Sequence, residues 1–175
     1  MTGRRLITVL ALVAVVSGLA AGCSSDQLES GGVRLRVERG AHVLAAERGG
    51  RLGDVRGERT LHRGARVEVV TGSAMVGFEN GSAELRQGSR LELGDLPTLV
   101  AGHALLASPE HRPVTVAAAG SRLTVAGTAR LSRDLAVSAA SYSGVVTIQS
   151  AGRSLRVPAL RQAAVPSLGL LPPAP

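Results

Sequence analysis

The chain has 175 residues, 45% of them hydrophobic, with one phenylalanine, one tyrosine, no tryptophan, one cysteine and a formal charge of +7. A single cysteine excludes an internal disulfide, and the scarcity of aromatics excludes the stacking platforms on which single-stranded nucleic acid is held. All 20 basic residues are arginine, but they alternate with acids in runs such as "RLRVER" and "RGARVEV", as on a solvated strand face. No nucleic-acid partner is therefore expected.

The chain opens on "MTGRR", followed by the apolar run "LITVLALVAVV" from Leu6 to Val16 and the small-residue segment "SGLAAG" from Ser17 to Gly22. Basic, apolar and small segments in that order make an export signal. Eleven helical residues cover only about 16 Å of a ~30 Å hydrocarbon core. Extended to Gly22 the segment nearly spans, so an uncleaved anchor is the alternative. The sole thiol, Cys23, stands directly after the small residues, and "AAGC" resembles the lipobox of bacterial lipoproteins. Its third position before the cysteine, usually Leu, Val or Ile, is here Ala20, with Leu19 one place earlier. The resemblance implies that a helical signal peptide, residues 1–22, is removed and that Cys23 carries a diacylglyceryl group on sulfur. Two acyl chains hold a protein stably where one is marginal. The expected location is the cell membrane, lipid-anchored on the extracytoplasmic side, with the membrane as the first partner.

"SSDQLESGG", Ser24 to Gly32, is polar and rich in Gly and Ser, so residues 23–32 read as a lipidated tether. From Val33 onward the pattern has period two. "VRLRVERG" sets Val33, Leu35 and Val37 against Arg34, Arg36 and Glu38. The same alternation places Val67 and Val69 on one face, then Ala74, Val76 and Phe78, Ala83 and Leu85, and Leu91 and Leu93. It resumes at Val114 and Val116, Leu123 and Val125, Ala129 and Leu131, Val146 and Ile148, and Leu155 and Val157. Short alternating runs are half-buried strands. Glycines close them at Gly40, Gly64, Gly72, Gly81, Gly88, Gly94, Gly120 and Gly152, and Asn80–Gly81 is the strongest turn signal. No apolar stripe at helical spacing follows the leader. The prediction is an all-β domain over 33–160, a compact irregular β-roll or solenoid of short strands, with a β-sandwich as the alternative. A core of Val, Leu and Ala suits narrow layers. Val76, Phe78, Leu85 and Val125 should point inward. Residues 161–175 hold Pro166 and three further prolines among apolar leucines, and read as a Pro-rich extended tail.

"RGARVEVVTGSAMVGFENGSAELRQGSRLEL" resembles the central block of FecR-like domains, the family named for the iron-dicitrate transport regulator. The matching residues are Gly64, Val67, Val69, Thr71, Ala74, Val76, Phe78, Gly81, Ser82, Leu85, Leu91 and Leu93. "VTVAAAGSRLTVAGTARLSR" resembles the strand leading into the family's "GT", here Gly127 and Thr128, and "YSGVVTIQSAG" its closing segment, carried by Gly144, Val146, Ile148 and Gly152. The Phe that commonly follows the GT is replaced by Ala129, Arg130 and Leu131. Cytoplasmic helices that hold a sigma factor in the best-known members have no counterpart here. The resemblance implies an envelope-side sensing or protein-interaction domain.

Catalytic signals are absent from the residues. His42, His62, His103 and His111 lack metal-ligand spacing, so no metal is expected. "GTARLS" is no phosphate cradle, and "SYSGV" around Ser143 lacks the GxSxG order, so neither cofactor nor nucleophile is implied. Asp54, Glu58, Asp95 and Asp134 are not paired for acid–base work. The expectation is a non-enzyme with a protein partner in the envelope. The alternative is a structural lipoprotein that binds cell-wall glycan, for which two aromatics are few.

Overall fold

The computed structural model describes residues 32–166; Cys23, the leader and residues 167–175 lie outside them. Strands are the only regular elements among these residues. β1 (Val33–Val37), β2 (His42–Ala46), β3 (Gly53–Val55), β4 (Glu58–Leu61), β5 (Arg66–Thr71), β6 (Ser73–Phe78), β7 (Gly81–Arg86) and β8 (Arg90–Leu93) are short. The later part contains β9 (Pro97–Ser108), β10 (Val114–Ala118), β11 (Ser121–Arg133), β12 (Ala136–Ser150), β13 (Arg153–Pro158) and β14 (Arg161–Pro166). The all-β expectation holds.

All fourteen strands belong to one hydrogen-bonded sheet, antiparallel except where Ala117 of β10 meets Thr98 of β9. The ladders divide into two runs. One passes from β3 through β2, β5, β8, the start of β9, β10, the start of β11 and the end of β12 to β13. The other passes from β4 through β1, β6, β7, the end of β9, the end of β11 and the start of β12 to β14. Buried residues of both runs form one cluster, among them Leu35, Val76, Leu85 and Leu131 with Val67, Leu91, Leu123 and Ile148. The sheet is therefore rolled over its own apolar face. With antiparallel neighbours almost throughout, it is the roll of the sequence reading rather than a coil of parallel rungs.

The alternating runs point inward as read, from Leu35 at one end to Val157 at the other. Phe78 faces the core as expected but is only partly buried, packed against the core cluster rather than within it. It ends β6 at the hairpin, where the two-residue turn is Glu79–Asn80 and Gly81 already pairs with Phe78. A side chain at a strand end meets neighbours on one side only, so part of the large ring stays in contact with water. The core is filled instead by leucine, valine and alanine, each buried large aliphatic contributing about 1.5–3 kcal/mol.

Three strands are long, where short ones were expected, because they run from one layer into the other. Each bends without losing its pairing. In β12 the buried residues are Val137, Ala139 and Ser141, then Val146, Ile148 and Ser150, so the inward phase changes from odd to even. Thr128 pairs with Ser143 and Ala129 with Ser141, leaving Tyr142 as the extra residue of a β-bulge. Ser143 Oγ accepts the Thr128 N–H at 3.1 Å, and Ser141 Oγ donates to the Ser143 carbonyl at 3.3 Å, which supplies hydrogen bonds at the distorted ladder. Gly127 and Gly144 stand opposite each other at this bend, with φ of 116° and 68°. A Cβ on either would overlap a backbone carbonyl oxygen of the facing strand, that of Ser143 or of Ala126. The "GT" glycine of the sequence is thus a corner residue.

β9 bends in the same way. Arg90 pairs with Ala101 and Leu91 with Leu99, so Val100 is the extra residue. Beyond it, the fully buried Ser89 hydroxyl donates to the His103 carbonyl at 2.6 Å and accepts the His103 N–H at 2.9 Å, taking the place of a strand partner. The tail boundary is also corrected. Arg161 to Pro166 form β14, paired with β12 from Ser141↔Arg161 to Ala136↔Pro166, and Val165 is buried against the core. Proline is tolerated at a strand end on the sheet edge, where its missing N–H costs no ladder bond.

Candidate recognition groove

An open groove of about 1240 Å³ lies at the end of the roll where β1 turns into β2 and β3 into β4. Two turns build its rim. Gly40 turns the chain from β1 to β2, and the Arg56–Gly57 link turns β3 into β4. The Val37 N–H donates to the Gly57 carbonyl at 2.7 Å and the Glu38 N–H to the Ser73 carbonyl at 3.2 Å, which ties both turns to the sheet.

Its walls carry Arg36, Arg39 and Arg56 and the carboxylates Glu38, Asp54, Glu58 and Glu84, with His42 beside them. Period-two alternation explains the polarity: Leu35 and Val43 point into the core, so Arg36 and His42 point out. The acids have local partners. Glu58 lies 3.5 Å from Arg36, Asp54 lies 3.3 Å from Arg56 and 3.9 Å from His42, and Glu84 lies 2.8 Å from Arg86. Glu38 accepts the Ser73 hydroxyl at 2.6 Å. Arg39 has no ion pair among the described residues. Met75, 40% exposed, adds an apolar surface between these charges. Exposed pairs of this kind contribute little to stability, with a median of about 0–1 kcal/mol. They can exchange partners with an incoming charged chain at small cost, so the groove is suited to polar recognition.

The structure separates the other residues considered from sequence. His42 and Asp54 approach to 3.9 Å in the groove, whose wall also carries Glu58, a proximity that residue spacing did not show. His62 lies 3.5 Å from Glu47, on a different turn. His103 Nδ1 and Ser132 Oγ are 2.9 Å apart on an exposed strand face. His111 sits in the exposed loop before β10, and Asp95 pairs with Arg63. Asp134 lies in the turn between β11 and β12, and Ser143 is held in the bulge. No three His, Cys, Asp or Glu side chains are grouped as metal ligands among the described residues. No helix among them is long and apolar enough to cross a membrane. The segments whose pattern resembles FecR-like domains lie on β5 to β8 and on β10 to β12. No family model, no curated protein and no solved structure matches the chain.

Proposed function

We propose that the chain is an extracytoplasmic lipoprotein, held at the cell membrane through Cys23, whose FecR-like β-domain is a non-catalytic sensory or protein-interaction module. The observation that carries the recognition role is the open groove at the Gly40 and Gly57 turns, lined by three arginines and four carboxylates; their ion pairs are exposed, and Arg39 has none among the described residues. The lipobox-like "AAGC" and the three-part leader support the anchor. Confinement to a surface raises the effective concentration for a membrane-held partner, so modest groove affinity suffices.

Two measurements test this. Metabolic labelling with a clickable fatty acid should mark the protein, and Cys23→Ser should lose both label and membrane fraction; a variant that keeps the label removes the anchor from the reading. A photo-crosslinking residue at Met75 should capture one defined envelope protein in intact cells. Arg39→Glu combined with Arg56→Glu, which reverses two groove charges on exposed turns, should abolish that capture while the protein stays anchored. Capture that survives the reversal would displace the groove as the site, and a pellet dependent only on cell-wall glycan would favour the structural alternative.

A further inference from the structure

Charge is divided unevenly along the rolled sheet. Residues 32–110 hold eleven arginines against ten carboxylates. The six ion pairs among the described residues all fall in that part. Residues 111–166 hold seven arginines against one carboxylate, Asp134. Arg153, Arg156 and Arg161 lie on β13 and β14, the edge strands that pair only with β12, and all three are exposed. Arg130 is exposed on β11, with Ala140 and then Gln162 beside it in register toward the same edge.

Arginine and the prolines Pro158 and Pro166 suffice to blunt an edge against further strand pairing. They do not account for the apolar residues there. Leu160, between β13 and β14, is 84% exposed and held at φ 62°. Left-handed backbone favours glycine or asparagine, and water disfavours leucine, so the position opposes the residue on both counts. The Leu160 N–H donates to the Ser141 carbonyl at 2.8 Å, which sets it next to Tyr142. Tyr142, the chain's sole tyrosine, is the bulged residue of β12 and is 48% exposed. The bulge and the left-handed turn therefore bring two apolar side chains out at the corner of a basic edge.

We propose that this corner seats on an anionic lipid surface. Leu160 and Tyr142 enter the headgroup layer, and Arg130, Arg153, Arg156 and Arg161 face the anionic headgroups. The dimensions agree with an anchor at Cys23. From β1 to β14 there are six strand steps, about 29 Å at ~4.8 Å each. The ten residues 23–32 reach about 33–36 Å when extended, so lipid and corner can meet one membrane. The proposal goes beyond the anchored-module reading and needs neither the lipid nor the groove partner.

The test is co-sedimentation of the full chain carrying Cys23→Ser, which takes no lipid. The vesicles are phosphatidylcholine alone or phosphatidylcholine with about one-third phosphatidylglycerol. The leader contributes equally in every variant, so comparison between variants isolates the corner. Arg156→Gln with Arg161→Gln should weaken binding to the anionic vesicles about 25-fold, roughly fivefold per arginine. Binding to neutral vesicles should change little. Leu160→Gly, which relieves the backbone, should weaken anionic binding without lowering the melting temperature. Arg34→Gln with Arg59→Gln, on the far edge, should leave it unchanged. Anionic binding that survives both corner variants, or falls equally with the far-edge pair, overturns the proposal. So does a chain that ignores vesicles while its corner arginines capture an acidic peptide or nucleic acid.

Discussion

Gly144 concentrates the steric demands of the fold in one residue. It combines positive φ with a facing carbonyl so close that no Cβ fits, whereas Gly152, also at positive φ, has open space around it. The two sites therefore separate backbone strain from collision. Gly152→Ala should cost about 1–2 kcal/mol, the strain of a left-handed alanine alone. Gly144→Ala must also push β11 and β12 apart at the bend, and should cost on the order of 3–5 kcal/mol, a large part of a domain's ~5–15 kcal/mol. Urea unfolding of both variants measures the difference. Equal losses would mean that the bend opens without resistance.

The element that most changes the sequence reading is β14. Its six residues contain Val165 and Ala163 on the core side and cover the first half of β12. Ending the chain after Leu160 would leave Val137 and Ala139 on an uncovered edge and strip six backbone pairings. Such an edge invites pairing between molecules. The shortened chain should lose several kcal/mol in chemical unfolding and elute from a sizing column as oligomers. A monomer of full stability after truncation at Leu160 would return residues 161–166 to the tail. Phe78 teaches the converse at β6. Alternation selected its face correctly, but its place beside the hairpin keeps it at the rim, so the core rests on leucines such as Leu85 and Leu91.

At the scale of the molecule, order comes from pairings between distant segments: β1 with β6, β5 with β8, β7 with β9, and β11 with β9 across the whole of β10. Closing such loops precedes any gain from burial, which places all-β folding in the millisecond-to-second range. Stopped-flow refolding followed by Tyr142 fluorescence should give a main phase in that range. With one cysteine in the chain, the phase should be insensitive to reductant. Microsecond refolding would mean that local structure dominates, against the long-range ladder.

What the sequence determined by itself is local and periodic. Alternation names the face of each residue wherever a strand stays in phase, as at Leu35, Val76, Leu123 and Ile148, and the glycines after such runs mark turns. The tertiary structure decided where phase is broken and which runs join. At Tyr142 and Val100 an extra residue shifts the period, so one long strand reads as two fragments or escapes notice. β3, with Val55 its only buried residue, carries too little apolar pattern to be seen. The groove was hidden for the same reason: Arg36, Asp54 and Glu58 are exposed side chains of three different strands. Their meeting depends on the turns at Gly40 and Gly57 and on β1 pairing with β4, contacts between segments that no local period encodes.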